Sequence, residues 1–391
     1  MLRTVGIDLG TSFSLVAYID KTSGRAKCVP GPYGETCCPS IVSLDAEGSI
    51  VVGAPARRRS ARLPDYGVGS IKRLMGRSLD NIPDELRTGL RLDPESRDAI
   101  RIRLGEFSHT PPEISAFVLR ELKMWAEVHL GGPVVQAVIT VPAYFDDAQR
   151  RAAKEAATLG GLEVLRLVNE PVAAALAYGL HEQRSGRVAV YDLGSRGFEI
   201  SILEFTPSDG EIYRVISSNE DAHMGGDEFE EALLGVVGEE IRIRHGFEVG
   251  TDPQILQSLR RALVRVKHDL SVVDRASLEV PLPNRSLFAR DICRAEFEGL
   301  VQPILERTMD RTRKALDDAK LAPDEIDEVV LVGGSTLVPL VQRMVTQLFG
   351  RRPRIEINPD EVVALGAAVQ ADILESGMRT EEVEGLVGQQ P

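Results

Sequence analysis

Cysteine, aromatic residues and long apolar runs are all scarce in this chain of 391 residues. No C-x-x-C pair occurs among the four cysteines, which argues against a cysteine metal centre and favours reduced thiols in the cytoplasm; they are Cys28, Cys37, Cys38 and Cys293. No apolar stretch reaches the roughly 20 residues that span a bilayer, and the first predicted strand begins too early for a signal peptide. The 59 acidic against 46 basic residues, a net charge of −13, argue against binding to nucleic acid or anionic membranes.

Against this ordinary composition, the tripeptide Asp-Leu-Gly occurs twice in matching surroundings. Asp8-Leu9-Gly10 and Asp192-Leu193-Gly194 each follow one apolar run and precede another. Two apolar runs around a short turn predict a β-hairpin, here with a carboxylate at a strand end. The turn amides suit phosphate oxygens, and the carboxylate suits a magnesium ion held through water. Two such hairpins facing each other would hold one triphosphate from both sides.

The two halves also end alike, in an acidic turn with proline followed by an alanine-rich helix. Asn169-Glu170-Pro171 opens this pattern in the first half, and Asn358-Pro359-Asp360-Glu361 opens it in the second. Proline and acidic residues suit a first helical turn, where the amides lack partners. Two echoes in the same order predict a duplicated α/β core, with the functional site in the cleft between the halves.

A chain of this length predicts two or more domains, and we divide it into two lobes. The first lobe is residues 1–183, with its core at 1–40 and 111–183 and an inserted subdomain at 41–110. The second lobe is residues 184–376, with its core at 184–222 and 301–358, an inserted subdomain at 223–300, and a helix at 359–376 that returns to the lobe interface. Residues 377–391 are expected to form a loose tail.

Periodicity and breaker residues place the main elements along the chain. The predicted helices cover residues 111–130, 146–159, 227–245, 252–270 and 294–319. The predicted buried strands cover residues 136–141, 164–168 and 329–332.

Together, these segments resemble the ATPase (nucleotide-binding) domain of DnaK-type seventy-kilodalton heat-shock chaperones. Besides the motifs above, the resemblance is carried by Ile71-Lys72-Arg73-Leu74-Met75-Gly76-Arg77, Thr140-Val141-Pro142-Ala143-Tyr144-Phe145, Met224-Gly225-Gly226-Asp227 and Leu331-Val332-Gly333-Gly334-Ser335-Thr336. It implies the actin-like ATPase fold, in which duplicated ribonuclease-H-like cores form two lobes with inserted subdomains around a central cleft. The match extends to about residue 376, near the start of the family's linker, so we expect the family's peptide-binding domain to be absent from this chain.

The resemblance also implies a function. We expect an ATP-binding and ATP-hydrolysing chaperone domain that uses ATP/ADP and Mg²⁺, turns over slowly, and couples the nucleotide state to lobe rotation and to client or partner handling. The implied partners are the nucleotide and a co-chaperone or nucleotide-exchange factor on the second insertion, with no nucleic acid and no membrane.

Transfer of a phosphoryl group to water depends on charge neutralisation and on an oriented water molecule. The residues that the resemblance assigns to catalysis are Lys72, Glu170, Asp192 and Asp8. Asp8 and Asp192 would hold magnesium through water, with a weak contribution from Glu199, while Lys72 would reach the γ-phosphate and the attacking water. Taken singly, each of these residues has a plainer interpretation, as a turn cap, a solvated surface charge or a favourable charge at a helix start.

The resemblance assigns further residues to nucleotide binding. They are Gly10, Thr11, Ser12, Phe13, Gly194, Ser195, Arg196, Gly197, Gly225, Gly226, Lys267, His268, Ser271, Gly333, Gly334, Ser335, Leu337 and Asp360. Pro142 and Arg150 match a pair that relays the nucleotide state between lobes, and strand termination and an exposed helix arginine explain them equally well.

The second phosphate turn departs from the family. Residues 192–199 read Asp-Leu-Gly-Ser-Arg-Gly-Phe-Glu, where the family has Asp-Leu-Gly-Gly-Gly-Thr-Phe-Asp. Ser195 and Arg196 replace glycines, which is unfavourable if the turn needs positive φ, although Arg196 could add a positive charge at the phosphates. Gly197 removes a hydroxyl, and Glu199 is one methylene longer than the aspartate it replaces.

The residues expected to contact adenosine also depart from the family pattern. Val264 stands where the family has glutamate, and His268 and Leu337 stand where it has arginines. At roughly a kcal/mol for each lost hydrogen bond, these changes could lower affinity tens-fold.

Alternative functions therefore stay open at the level of sequence. One is a nucleotide-sensing or scaffolding pseudo-ATPase with weak or no hydrolysis. Another is an actin-like filament protein or a small-molecule kinase on the same fold, which the segments around Lys72 and Thr140–Phe145 disfavour.

Overall fold

The structure is a computed structural model that describes residues 3–63, 66–82, 87, 90–94, 96, 99–180, 185–205, 213–283 and 286–387, with side chains in the last helix as far as residue 377. Its strands are β1 Arg3–Asp8, β2 Phe13–Asp20, β3 Arg25–Cys28, β4 Cys38–Pro39, β5 Ile41–Leu44, β6 Ile50–Val52, β7 Gly67–Gly69, β8 Ile102–Leu104, β9 Phe107–His109, β10 Val134–Val141, β11 Glu163–Asn169, β12 Gly186–Leu193, β13 Phe198–Phe205, β14 Tyr213–Asp221, β15 Arg275–Pro281, β16 Leu287–Cys293 and β17 Glu328–Val332. Its α-helices are α1 Ala54–Ser60, α2 Pro111–Leu130, α3 Asp147–Leu159, α4 Glu170–Ala177, α5 Gly226–His245, α6 Pro253–Val272, α7 Arg294–Ala319, α8 Pro339–Phe349 and α9 Val362–Val387.

Two compact units divide the chain. The first comprises Met1–Arg184, Thr206–Tyr213 and Asp360–Pro391, and the second comprises Ser185–Phe205 and Arg214–Pro359. The predicted lobe boundary at residue 183 lies among residues 181–184, outside the described residues.

The first unit is built on a sheet in the order β11-β10-β1-β2-β3, with β4 also pairing with β2. Its central strand β1 runs parallel to β10 and antiparallel to β2, so the β1–β2 hairpin places Asp8 opposite Leu15 at the strand end. A small sheet in the order β6-β5-β7 and the hairpin β8-β9 lie in the stretch predicted to be an insertion.

The second unit repeats this plan in the order β14-β13-β12-β17. Here β12 runs antiparallel to β13 and parallel to β17, and the hairpin places Asp192 opposite Glu199. A parallel bridge from Val330 to Arg354 occupies the position that β11 holds in the first unit. The equivalent pairings show the duplication that the two Asp-Leu-Gly segments predict.

The helix boundaries follow from local sequence signals. Helix α2 begins after Thr110, which forms a capping box with Glu113, and α3 begins after Asp146, which forms the same box with Gln149. Within the insertion of the second unit, α5 buries Phe229, a turn before Leu233 in the same apolar core. The predicted helices agree with the observed ones to within two residues at either end.

The final helix differs from its predicted position. A helix is predicted at 359–376 in the second lobe, with a loose tail after it, whereas α9 belongs to the first unit and its backbone stays helical to Val387. The reason is close packing against small residues: a Cβ at Gly366 would lie 1.7 Å from the carbonyl oxygen of Ala173 in α4, and one at Gly6 would lie 2.1 Å from the amide nitrogen of Ala368. Residues 388–391 of the predicted tail lie outside the described residues.

No helix among the described residues is long and apolar enough to cross a membrane.

Candidate functional site

In the first unit, the turn after β1 is tight, and hydrogen bonds from Ser40 hold it in place. A Cβ at Gly10 would lie 2.0 Å from the carbonyl oxygen of Phe13, so the turn requires glycine there. The Ser40 hydroxyl donates to the Gly10 carbonyl at 2.8 Å, and the Ser40 amide donates to the Ser12 carbonyl at 2.9 Å. The Arg57 guanidinium lies 4.9 Å from the centre of the Phe13 ring. These contacts hold the segment of predicted phosphate ligands Gly10, Thr11, Ser12 and Phe13.

Lys72 and Glu170 form an ion pair in the same unit, with side chains only 8% and 15% exposed. Lys72 lies in a short 3-10 helix after Ser70, a residue with a left-handed φ of 56°, and Glu170 opens α4. The solvated-surface interpretation of Lys72 is therefore wrong, because a surface lysine would not be this enclosed. The fold brings together two residues that lie 98 positions apart.

Asp8 completes an acidic group around this ion pair. The Thr140 hydroxyl donates to its Oδ1 at 2.8 Å. Burial first, then the Glu170 carboxylate, raise the pKa of Asp8 to about 6; Lys72 opposes this, and Asp360 adds to it. Repulsion among neighbouring carboxylates is the setting that a hard divalent cation relieves, and carboxylate oxygens are the ligands it prefers.

No group of three or more His, Cys, Asp or Glu side chains with the arrangement of a metal site occurs among the described residues.

Asp8→Asn should stabilise the nucleotide-free protein. A carboxyl whose pKa rises from 3.8 to about 6 on folding binds its proton more tightly in the folded state, so its contribution to stability falls as the pH rises through that window. At 1.36 kcal/mol per unit of pKa, the variant should be more stable by roughly 3 kcal/mol at pH 7.5, and the difference should shrink toward pH 4. Urea unfolding without divalent ions at several pH values measures this.

Asp20→Asn is the control of opposite sign, because a hydrogen bond from Lys27 holds the pKa of exposed Asp20 below its usual value. A loss of stability in Asp8→Asn at pH 7.5 would contradict the prediction.

In the second unit, the altered phosphate turn is not strained. Within the described part of the chain, Ser70 and Lys320 are the non-glycine residues with positive φ, so Ser195 and Arg196 are not among them. A Cβ at Gly194 would find its nearest neighbour at 3.7 Å. The penalty considered for Ser195 and Arg196 is therefore absent, because the backbone of this turn does not need the left-handed region.

The turn is anchored to the start of α5. The Gly226 amide donates to the Gly194 carbonyl at 3.0 Å, and the Asp227 amide donates to the Ser195 carbonyl at 2.8 Å. The Gly194 amide closes the turn by donating to the Gly197 carbonyl at 3.0 Å. This arrangement places the predicted ligands Gly194, Ser195, Arg196, Gly197, Gly225 and Gly226 in one group.

The segment after β17 joins the same group. Gly333 has a φ of 81°, and a Cβ there would lie 2.4 Å from the Leu193 carbonyl oxygen and 2.8 Å from Asp192 Oδ1. The Ser335 hydroxyl donates to the Gly194 carbonyl at 2.9 Å, which draws the short 3-10 helix from Gly334 against the turn. Leu337, at the end of that helix, is 41% exposed.

The predicted adenosine face lies on α6. Lys267 is buried in an ion pair with Glu230 on α5, with Nζ to Oε1 at 2.7 Å, and also reaches the Gly226 carbonyl at 3.3 Å. Ser271 donates to the Lys267 carbonyl at 3.3 Å, His268 is exposed, and Val264 is half-buried. Lys267 is thus tied to the start of α5.

Glu199 faces a neighbouring strand of its own sheet. Its Oε1 accepts hydrogen bonds from the hydroxyls of Ser201 at 3.0 Å and Ser218 at 3.4 Å. Its weak metal role stays a prediction.

The fold also reveals supporting residues that the sequence analysis missed. The Thr140 hydroxyl donates a hydrogen bond to Asp8. The side-chain oxygen of Asn169, the residue before Glu170, accepts a hydrogen bond from the Arg150 guanidinium at 2.8 Å. Glu230 forms an ion pair with Lys267. Thr140 and Asn169 had a signal, since both lie in segments that carry the family resemblance, whereas Glu230 had none.

Known proteins with similar sequences indicate the same family as the motifs do. A model of the family described as Hsp70 protein matches residues 4–386. Proteins named chaperone protein DnaK from Thermotoga neapolitana, Thermotoga petrophila and Thermotoga maritima are each 42% identical over 377 residues, which is 95% of this chain and 59% of each relative. The chain thus spans about three-fifths of the length of these relatives. The matching family has the actin-like ATPase fold, so the predicted fold class and the DnaK-type resemblance are confirmed.

Proposed function

Since the chain belongs to the Hsp70 protein family, we propose that it binds ATP with magnesium and hydrolyses it to ADP and phosphate. The observation that carries the proposal is the enclosed Lys72–Glu170 ion pair beside Asp8, whose pKa is raised. Charged groups held in a protected position with a perturbed pKa are typical of functional sites.

In this proposal, Lys72 places a fixed positive charge at the terminal phosphate, where negative charge develops as the bond to the leaving oxygen breaks. Glu170 holds Lys72 in place and accepts a hydrogen bond from the attacking water. Thr140 keeps Asp8 oriented. These groups act by position and charge, which is what phosphoryl transfer to water requires.

On the second unit, backbone amides of the turn that follows Gly194 bind phosphate oxygens, and Asp192 contributes a carboxylate. Asp8 on the first unit and Asp192 on the second would each contact a magnesium ion through water, and the ion would neutralise phosphate charge. Lys267, His268 and Ser271 on α6, with Ser335 and Leu337, contact the adenosine. Exposed Leu337 replaces a guanidinium stack with apolar contact, so we expect modest affinity for the base.

We further propose that the chain is the nucleotide-responsive part of a chaperone. Its relatives are named chaperone protein DnaK and are longer than this chain. Nucleotide binding would bias the domain between two arrangements and so alter the handling of a client or of a co-chaperone or nucleotide-exchange factor.

Single-turnover hydrolysis of radiolabelled ATP with and without magnesium tests the proposal. Wild-type protein should release phosphate only with magnesium, and Asp192→Asn should lower the rate at least tenfold, because a carboxylate near the metal is lost. Asp310→Asn, whose side chain is 76% exposed in the same unit, should match wild type.

Folded wild-type protein that releases no phosphate would reject the proposal in favour of a sensing or scaffolding pseudo-ATPase.

A further inference from the structure

The second phosphate turn carries a cation that is already bound to an anion of the protein. Arg196 Nε donates to Asp227 Oδ2 at 2.7 Å, and the two side chains are 48% and 38% exposed. The arginine stands where the family pattern has glycine, so the pair belongs to this chain's own departure from that pattern.

The ion pair is not needed to hold the turn in place. The turn and the start of α5 are already joined by the amides of Gly226 and Asp227, which donate to the carbonyls of Gly194 and Ser195. Breaking the contact between Arg196 and Asp227 would leave these backbone hydrogen bonds intact. A side-chain contact added to segments that are already joined can be exchanged for another partner at little structural cost.

Asp227 presents the same kind of group to Arg196 as a phosphate does. A guanidinium binds carboxylate and phosphate oxygens through the same fork of N–H donors. A half-exposed carboxylate holds it weakly, because exposed ion pairs contribute about 1 kcal/mol or less. A polyphosphate carries several negative charges and attracts the guanidinium more strongly with each added phosphate.

We propose that the Asp227 carboxylate competes with the polyphosphate of a nucleotide for the Arg196 guanidinium. The polyphosphate must displace Asp227 before it can bind Arg196. Arg196 then binds phosphate oxygens at the turn, and the pair sets how strongly the protein discriminates nucleotides by their number of phosphates. This inference rests on the proposed function, since it concerns regulation of the same nucleotide site. Arg196 thus binds the nucleotide, and its ion pair with Asp227 weakens that binding.

Calorimetric titration of four proteins tests this exchange: wild type, Asp227→Asn, Arg196→Gln and the double variant. The ligands are ATP, ADP and AMP, each with magnesium, at low and at high salt. Releasing Arg196 in Asp227→Asn should tighten ATP binding about fivefold, the amount expected for a weak exposed pair. The gain should be smaller for ADP, absent for AMP and reduced at high salt.

Arg196→Gln should weaken ATP binding about tenfold, because a charge-assisted contact to phosphate is lost. In that background Asp227→Asn should have no further effect, which a merely structural role for Asp227 would not predict. Glu239→Gln, in another exposed ion pair on α5 with both side chains 52% exposed, should leave all affinities unchanged.

Measurable ATP binding that is unchanged in Asp227→Asn, or a gain that persists in the Arg196→Gln background, would overturn this inference and leave the proposed function standing. ATP binding in Asp227→Asn but not in wild type would support the competitor and overturn hydrolysis by the wild-type chain. Failure of all four folded proteins to bind ATP would overturn both.

Discussion

Lys72→Met should lower the single-turnover rate of ATP hydrolysis by about 10²- to 10³-fold, the range seen when one preorganised charge is removed from a reacting centre. Methionine keeps most of the length and apolar volume of lysine, so the change removes little besides the charge. The expectation depends on the enclosure of the Lys72 side chain, which is 8% exposed and fixed by Glu170.

Stability measurements separate the role of Lys72 in hydrolysis from its role in stabilising the fold through the ion pair with Glu170. Lys72→Met leaves the Glu170 carboxylate, 15% exposed, without its partner, and should cost about 2 kcal/mol in urea unfolding. Adding Glu170→Gln should recover most of that loss without restoring hydrolysis. Lys27→Met breaks an ion pair to Asp20, with side chains 52% and 20% exposed; it should leave hydrolysis unchanged and should lower stability much less than Lys72→Met does. Hydrolysis at the wild-type rate in Lys72→Met would remove this residue from the proposed mechanism.

Gly366→Ala should destabilise the protein by about 3 kcal/mol or more, a large effect for one methyl group. The added carbon would lie 1.7 Å from the carbonyl oxygen of Ala173 and 2.4 Å from its carbonyl carbon. Both partners are backbone, so relief requires α4 and α9 to move apart. Because Glu170 opens α4, we also expect slower ATP hydrolysis at temperatures where the variant remains folded.

Gly377→Ala is the matched control in the same helix. A Cβ there would meet no atom of the described residues within 4 Å, and alanine favours the helix over glycine by about 1 kcal/mol, so this variant should be slightly stabilised. Urea unfolding followed by circular dichroism measures both variants. Equal stabilities for the two would show that the contact between α9 and α4 is looser than the structure indicates.

Local elements could be predicted well because their signals are local. Thr110 and Glu113 form the capping box at the start of α2, and Gly131, with a φ of 67°, follows its last residue. The duplicated hairpins could be predicted because Asp8 and Asp192 each lie between two apolar runs, a pattern within a single window of sequence.

The site could be predicted only as a set of residues, without their partners. The Lys72–Glu170 pair joins segments 98 positions apart, and nothing near either residue indicates the other. The same holds for Lys267 with Glu230 and for Arg196 with Asp227. The assignment of α9 failed for a related reason: alanine and glycine show that a helix packs closely, but not against which strand or helix.

The contact between Gly6 and Ala368 has a consequence for the order of folding during synthesis. Strand β1 is made well before α9, which packs on it and follows the whole of Arg214–Pro359 in the chain. The first unit therefore cannot complete its core until α9 has been made, and the face of β1 that α9 covers stays exposed. By then the second unit already has its complete set of strands. Domains usually finish from the N-terminus onward. In this chain, the later unit is expected to complete its core first, while the sheet of the first unit still lacks its covering helix.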